Sequence, residues 1–277
     1  MKIDSHQHFW HYHPSEYGWI GKGMEVLMRD FLPGDLWAEL SGNDYSGSVV
    51  VQARQTLEET EWLLSLAETV HFIKGVVGWV DLCSEEAESQ LNRYSRLKKL
   101  VGVRHVIHDE PDDDFMLRPE FMRGISLLGK YGLTYDLLLF PKHLPGAIKL
   151  VRQFPEQPFV LDHISKPLIA ENKIQPWKNL IFELAQYPNV YCKLSGMVTE
   201  AGRNNLDKAT FIPYLDVVFE AFGTDRLMIG SDWPVCLLGG SYFSMMNIVL
   251  SYITRFESGI RDNITGGNCI RFYNIPI

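Results

Sequence analysis

The residues best suited to chemistry stand near the start of the chain. His6 and His8 lie one residue apart in the stretch DSHQHFW, with acidic Asp4 before them and two aromatics after. In a β-strand, residues i and i+2 share a face, so both imidazoles aim at one point. That arrangement suits a metal ion, or two hydrogen bonds to one substrate. Two later stretches bring similar groups to the ends of apolar runs: Asp162 and His163 in FVLDHISKP, and Asp232 in GSDWPV. Imidazole and carboxylate suit Zn²⁺ and related ions. A carboxylate beside such a centre can take the proton of an attacking water.

These residues need a scaffold, and the hydrophobic pattern supplies one. Short β-rich segments cover residues 2–9, 48–53, 73–82, 101–107, 133–140, 159–164, 190–195 and 227–232. Several are almost continuous apolar runs, as in strands buried on both faces. Helical patterns lie between them. Thr56 and Glu59 form a capping box that opens a helix through residue 67, and Gly132 and Gly223 stand where helices over 119–131 and 208–222 should stop. Further helices are expected over 85–97, 176–187, 241–256 and 261–273, with a short one near 35–40. Eight strands alternating with helices predict an α/β protein, a (β/α)8 TIM barrel. An open doubly wound sheet is the competing arrangement. No GxGxxG follows the first strand, which weakens its dinucleotide-binding version. No linker divides the chain, so residues 1–277 are expected to form one domain. The segment 10–48 is rich in His, Tyr and Trp and is expected to lie over the barrel mouth.

Barrels of this kind carry their chemistry at the C-terminal ends of the strands. Besides the histidines and Asp232, those ends offer Arg54, Trp79, Arg104, His105, Asp136 and Lys193. Arg54, Arg104 and Lys193 are fixed cations suited to hydroxyls, a carbonyl or a carboxylate. Trp10, Trp79 and Trp233 offer aromatic faces. For the tryptophans the competing role is packing, and for Arg54 it is an ion pair with Glu58 or Glu59. His105 is a further substrate-contact candidate. The roles of His108, His11 and His13 are left open.

Bulk properties narrow the field. The 277 residues are 46% hydrophobic and 22% charged, with a net charge of −8 and a pI near 5.6. Such a chain is not built for nucleic acid or an anionic membrane. Cys83, Cys192, Cys236 and Cys269 show no CxxC pairing, as expected of free thiols in a reducing cytoplasm. The start of the chain does not resemble a signal peptide.

Taken in order, DSHQHFW, GVRH, FVLDHISKP, CKLSG and GSDWPV resemble the amidohydrolase superfamily. Within it they are most similar to the amidohydrolase-2 branch, which contains sugar lactonases of the L-fuconolactonase and L-rhamnonolactonase type. The resemblance implies a barrel of the metal-dependent-hydrolase type and a hydrolase that opens an aldonolactone, such as L-fucono- or L-rhamnono-lactone, with Asp232 as general base. It implies His6 and His8 as metal ligands or carbonyl-polarising groups, His163 as a further ligand or a substrate contact, Asp232 as ligand and base, and His163 and Asp232 as catalytic. With a sugar lactone as substrate, Arg54, Trp79, Arg104, His105 and Lys193 are the candidates to contact it, and Trp10, Trp79 and Trp233 could stack on its ring. It also implies one divalent ion, zinc, because the fifth strand carries Tyr135-Asp136 where many metal-rich members have a ligand, and Lys193 lies on the seventh strand. A metal-free site, a non-oxidative decarboxylase and a metal-independent pyrone-type lactonase are the alternatives on the same scaffold. The expected partner is a small sugar lactone, with no nucleic acid or membrane; homo-oligomerisation is left open.

Overall fold

The computed structural model describes residues 1–202 and 205–276. Eight parallel strands follow one another in chain order: β1 (Ile3–Gln7), β2 (Gly47–Val51), β3 (Ile73–Gly78), β4 (Leu100–His105), β5 (Thr134–Leu137), β6 (Phe159–Leu161), β7 (Val190–Leu194) and β8 (Leu227–Ile229). The last strand returns to the first just beyond its regular end. There the Asp232 amide donates to the His6 carbonyl at 2.9 Å, and the His8 amide to the Trp233 carbonyl at 2.7 Å. The result is a nearly closed barrel with helices around it.

All eight expected strands are present, but most end earlier than the apolar pattern suggested. The polar residues at their C-terminal ends leave the ladder and enter irregular backbone. That is how His8, Asp162–Ser165 and Asp232 come to be presented at the upper rim rather than paired within the sheet.

One expected gap is filled. Helix Leu144–Gln153 connects β5 and β6, although Pro145 and Gly146 at its start read as helix breakers. A proline in the first turn costs no hydrogen bond. Leu144, Ala147, Ile148 and Val151 recur at helical spacing and are buried. The capping box at Thr56 forms only in part. Thr56 Oγ1 accepts the Glu59 amide at 3.1 Å, but the Glu59 carboxylate turns instead to the amides of Ala53 and Arg54, at 3.0 and 2.7 Å.

The lower barrel is apolar. Ile3, Val49, Val101, Val160 and Met228 cluster with Phe272 and Tyr273 from the C-terminal helical run. Among the described residues, no helix is long and apolar enough to cross a membrane.

Candidate active site

The period-two alternation of β1 puts His6 and His8 on one face. Their Nε2 atoms lie 3.2 Å apart. His8 Nδ1 donates to the Val51 carbonyl at 2.7 Å, which turns Nε2 inward. Asp4 ties this strand to β8. Its carboxylate accepts the amide of His6 at 3.2 Å, the amide of Ser231 at 2.9 Å and the Ser231 hydroxyl at 2.6 Å. Asp232 follows directly, with φ of 57°. The left-handed region is costly for a residue with a Cβ, and the clamp beside Asp232 helps to hold it there.

His163 reaches the same place by a second unusual turn. His163, Ile164, Ser165 and Lys166 have φ of 53°, 48°, 61° and 46°. His163 Nδ1 meets Ser195 Oγ at 2.8 Å, which fixes the ring. The ring also needs Gly196, where a Cβ would stand 2.6 Å from His163 Nδ1 and where φ is +63°.

The donors converge on one carboxylate oxygen. Asp232 Oδ1 lies 3.3 Å from His8 Nε2, 3.7 Å from His163 Nε2 and 3.8 Å from His6 Nε2. Asp232 Oδ2 is buried without a hydrogen-bond partner among the described residues. Zinc–donor bonds of about 2.0–2.2 Å in tetrahedral geometry place donors about 3.3–3.6 Å apart. The separations among His6, His8 and Asp232 are close to that spacing, so these three residues fit a single small divalent ion, with His163 Nε2 alongside. Burial drives the His6 and His163 imidazoles well below their ordinary range, so both are neutral; the Arg104 guanidinium lies 3.3 Å from His6 Nε2. Burial works against the Asp232 carboxylate, but His163, His8 and Lys166 outweigh it and hold it below the usual range.

Beneath this constellation sits a buried charge network. Lys193 Nζ donates to Asp136 Oδ2, pairs with Asp162 Oδ1 at 3.0 Å and lies 3.1 Å from His6 Nδ1. Arg104 donates to Asp162 Oδ2 at 3.0 Å and to the Gln52 carbonyl. Tyr273 donates to Asp136 at 2.7 Å from below. Burial alone would strip Lys193 of its proton, but Asp136 and Asp162 raise its pKa above the ordinary lysine value. Two cations thus balance two carboxylates, which is what buried charge requires.

Above lies a cavity of about 550 Å³. His8, Arg104, His163 and Asp232 contribute to its lining, with Lys166 and Glu200 beside them.

The chain matches the amidohydrolase family over residues 3–275. It belongs to that family. Over its whole length it is 39% identical to the L-fucono-1,5-lactonase of Burkholderia multivorans, covering 97% of that protein. It is 37% identical to the L-fucono-1,5-lactonase of Burkholderia ambifaria, over 99% of this chain and 96% of that one. The crystal structure of an amidohydrolase from Burkholderia multivorans with bound zinc superposes with a TM-score of 0.96 at 39% identity, covering all of both chains.

In this amidohydrolase the cavity gathers some sequence candidates and omits others. Arg104, on β4, points inward, whereas its neighbour His105 points outward to stack on Phe115 at 4.7 Å. His105 Nε2 meets Glu110 at 2.6 Å, and Trp79 Nε1 lies 3.4 Å from His105 Nδ1. Neither His105 nor Trp79 lines the cavity. Arg54 pairs with Glu16 at 2.5 Å, not with Glu58 or with the Glu59 side chain, and also lies outside the lining. Lys193 is too deep to touch a ligand there. Trp10 and Trp233 pack against Phe31 in the core. The tryptophan on the cavity wall is Trp19, from the segment that covers the mouth, together with Lys22 and Met24. His108 also lines it, stacked on Phe140 at 4.7 Å. His11 and His13 sit at the surface, against Asp30 and Ser15. Sequence reasoning passed over Trp19, Lys166 and Glu200; the one signal for Lys166 was its place within the FVLDHISKP motif.

Proposed function

We propose that this amidohydrolase opens a sugar-derived lactone, an aldonolactone of the L-fucono or L-rhamnono series, to the open acid. The observation that carries the reading is Asp232. Its Oδ1 faces three imidazoles and its Oδ2 has no partner among the described residues, at the floor of a cavity in a chain that aligns end to end with two lactonases. His6, His8, His163 and Asp232 would hold one zinc ion. Bound there, zinc would polarise the lactone carbonyl and lower the pKa of its water.

The protein's own residues supply the rest. Asp232, held ionised, accepts the proton of the attacking water. Ser195 fixes the His163 ring, and Asp162, held by Lys193, faces His6 Nδ1 at 3.3 Å and accepts its hydrogen bond. The Arg104 guanidinium lends positive charge to the floor where the oxyanion develops. Trp19 offers a face for the sugar ring. A lactone is an ester, so this modest set of groups suffices. The reading includes a role in carbohydrate catabolism in the cytoplasm, in keeping with four free cysteines.

The test is acid release, followed by pH indicator, from a panel of aldono-1,4- and 1,5-lactones with zinc supplied. Rapid turnover of one stereochemical series is expected. A folded, zinc-loaded protein that turned over none of them, or that released CO2 from a hydroxybenzoate instead, would refute it.

A further inference from the structure

Opening a lactone ring frees an alkoxide, which needs a proton as the ring C–O bond breaks. Asp232 has just taken the proton of water, so a second group is wanted on the leaving side. His108 lines the cavity, but burial, with Lys166 and Arg104 nearby, pushes its pKa down to about 3. It is therefore a neutral imidazole and a poor acid. Arg104 spends its guanidinium on Asp162, the Gln52 carbonyl and His6 Nε2.

Lys166 is differently placed. It ends the run of four successive left-handed residues that begins at His163. That conformation is costly for any non-glycine residue, and such strain collects at functional sites. Two bonds hold the turn: the Lys166 amide donates to the His163 carbonyl at 2.8 Å, and Trp177 Nε1 donates to the Ile164 carbonyl at 2.8 Å. The turn delivers His163 and Lys166 to the same cavity. Lys166 Nζ donates to Glu200 Oε1 at 3.0 Å, with side chains 13% and 20% exposed. Thr199 also donates to that oxygen, at 3.3 Å. The ammonium is thus steered from one side, and its charge bears on Asp232, His163, His108 and Asp109.

We propose that Lys166 is the proton donor to the leaving ring oxygen. The assignment rests on the lactone reading above. Water's oxygen bonds to the carbonyl carbon and its proton passes to Asp232. The ring C–O bond then breaks, its electron pair stays on oxygen, and that oxygen takes a proton from Lys166 Nζ. The amine regains a proton from Asp232 through solvent, which resets both groups.

The experiment compares kcat/KM on the best aldonolactone for wild type, Lys166→Met, Lys166→Arg and Lys130→Met. Arginine keeps the charge beside Glu200 but does not release its proton. Both Lys166 variants should lose about 10²–10⁴-fold, while Lys130→Met, at a surface lysine paired with Glu88 and outside the cavity lining, stays within threefold. Lys166→Arg or Lys166→Met within threefold of wild type would overturn the assignment, as would an equal loss in Lys130→Met. If arginine disrupts the turn, Lys166→Ala with added amines decides. Ethylammonium should restore at least tenfold and tetramethylammonium, which has charge but no proton, should not; equal restoration by both, or by neither, overturns it. A wild type idle on every lactone would instead overturn the lactone reading itself.

Discussion

At its lower end the barrel is filled by Ile3, Val49, Val101, Val160 and Met228 and closed by Phe272 and Tyr273. At its upper end the same strands run into His6, Arg104, Asp136, Asp162, Lys193 and Asp232, nearly all of them fully buried. The lower end gains from removing apolar surface from water, at about 25 cal/mol per Å². The upper end does the reverse: it desolvates charges that must then be matched in detail. Single left-handed residues occur at the lower end too, at Asp44 and Asn274, but the upper end collects four in succession at His163–Lys166, with Asp232 beside them. A fold keeps costly, strained polar groups together where they serve a reaction. The difference between the ends therefore separates what stabilises this protein from what it uses.

Substitutions can break that separation or sharpen it. The largest effect is expected at Lys193, where the two regions meet. Lys193→Met leaves Asp136 and Asp162 without their shared cation and should cost about 3–5 kcal/mol in chemical denaturation, with lactone turnover falling as well. Met228→Ala, in the apolar half, should cost about 2–5 kcal/mol and leave kcat unchanged; a large loss of kcat there would dissolve the distinction. A third expectation concerns pH. Burial raises Glu59, whose ordinary value is 4.5, to about 7. The folded state then holds this proton more tightly than the unfolded chain. Its contribution is fully present below pH 4.5 and is lost as pH rises through 7. Between pH 4 and pH 8 this group should remove about 3 kcal/mol of stability. Glu59→Gln, which mimics the protonated form, should flatten that part of the stability–pH curve; an unchanged slope would show that Glu59 is not the group responsible.

Most of the scaffold was legible because apolar runs and helix boundaries are local signals. All eight strands and most helices could be read that way, and helix Leu144–Gln153 was hidden only by Pro145-Gly146. Pairing His6 with His8 needed nothing beyond strand alternation. The same alternation separates Arg104 from His105, but only once the inward face of β4 is known, and sequence alone does not give it. The turn from His163 to Lys166 had no signal, since none of its residues is glycine and its conformation is imposed by Trp177, Ser195 and Gly196 from other parts of the chain. Trp19 was overlooked for a related reason. Trp10 and Trp233 lie close to the motifs in sequence, yet they pack inward, while a residue from the covering segment faces the cavity.

The account turns on water attacking a lactone carbonyl beside Asp232. Its most direct test is hydrolysis of L-fucono-1,5-lactone in H₂¹⁸O, run in parallel with wild type and Asp232→Asn. The account predicts one ¹⁸O in the product carboxylate. It also predicts a rate about 10²–10⁴-fold lower in the variant, with its melting temperature unchanged. Label in the freed hydroxyl, or an Asp232→Asn enzyme as fast as wild type, would contradict it.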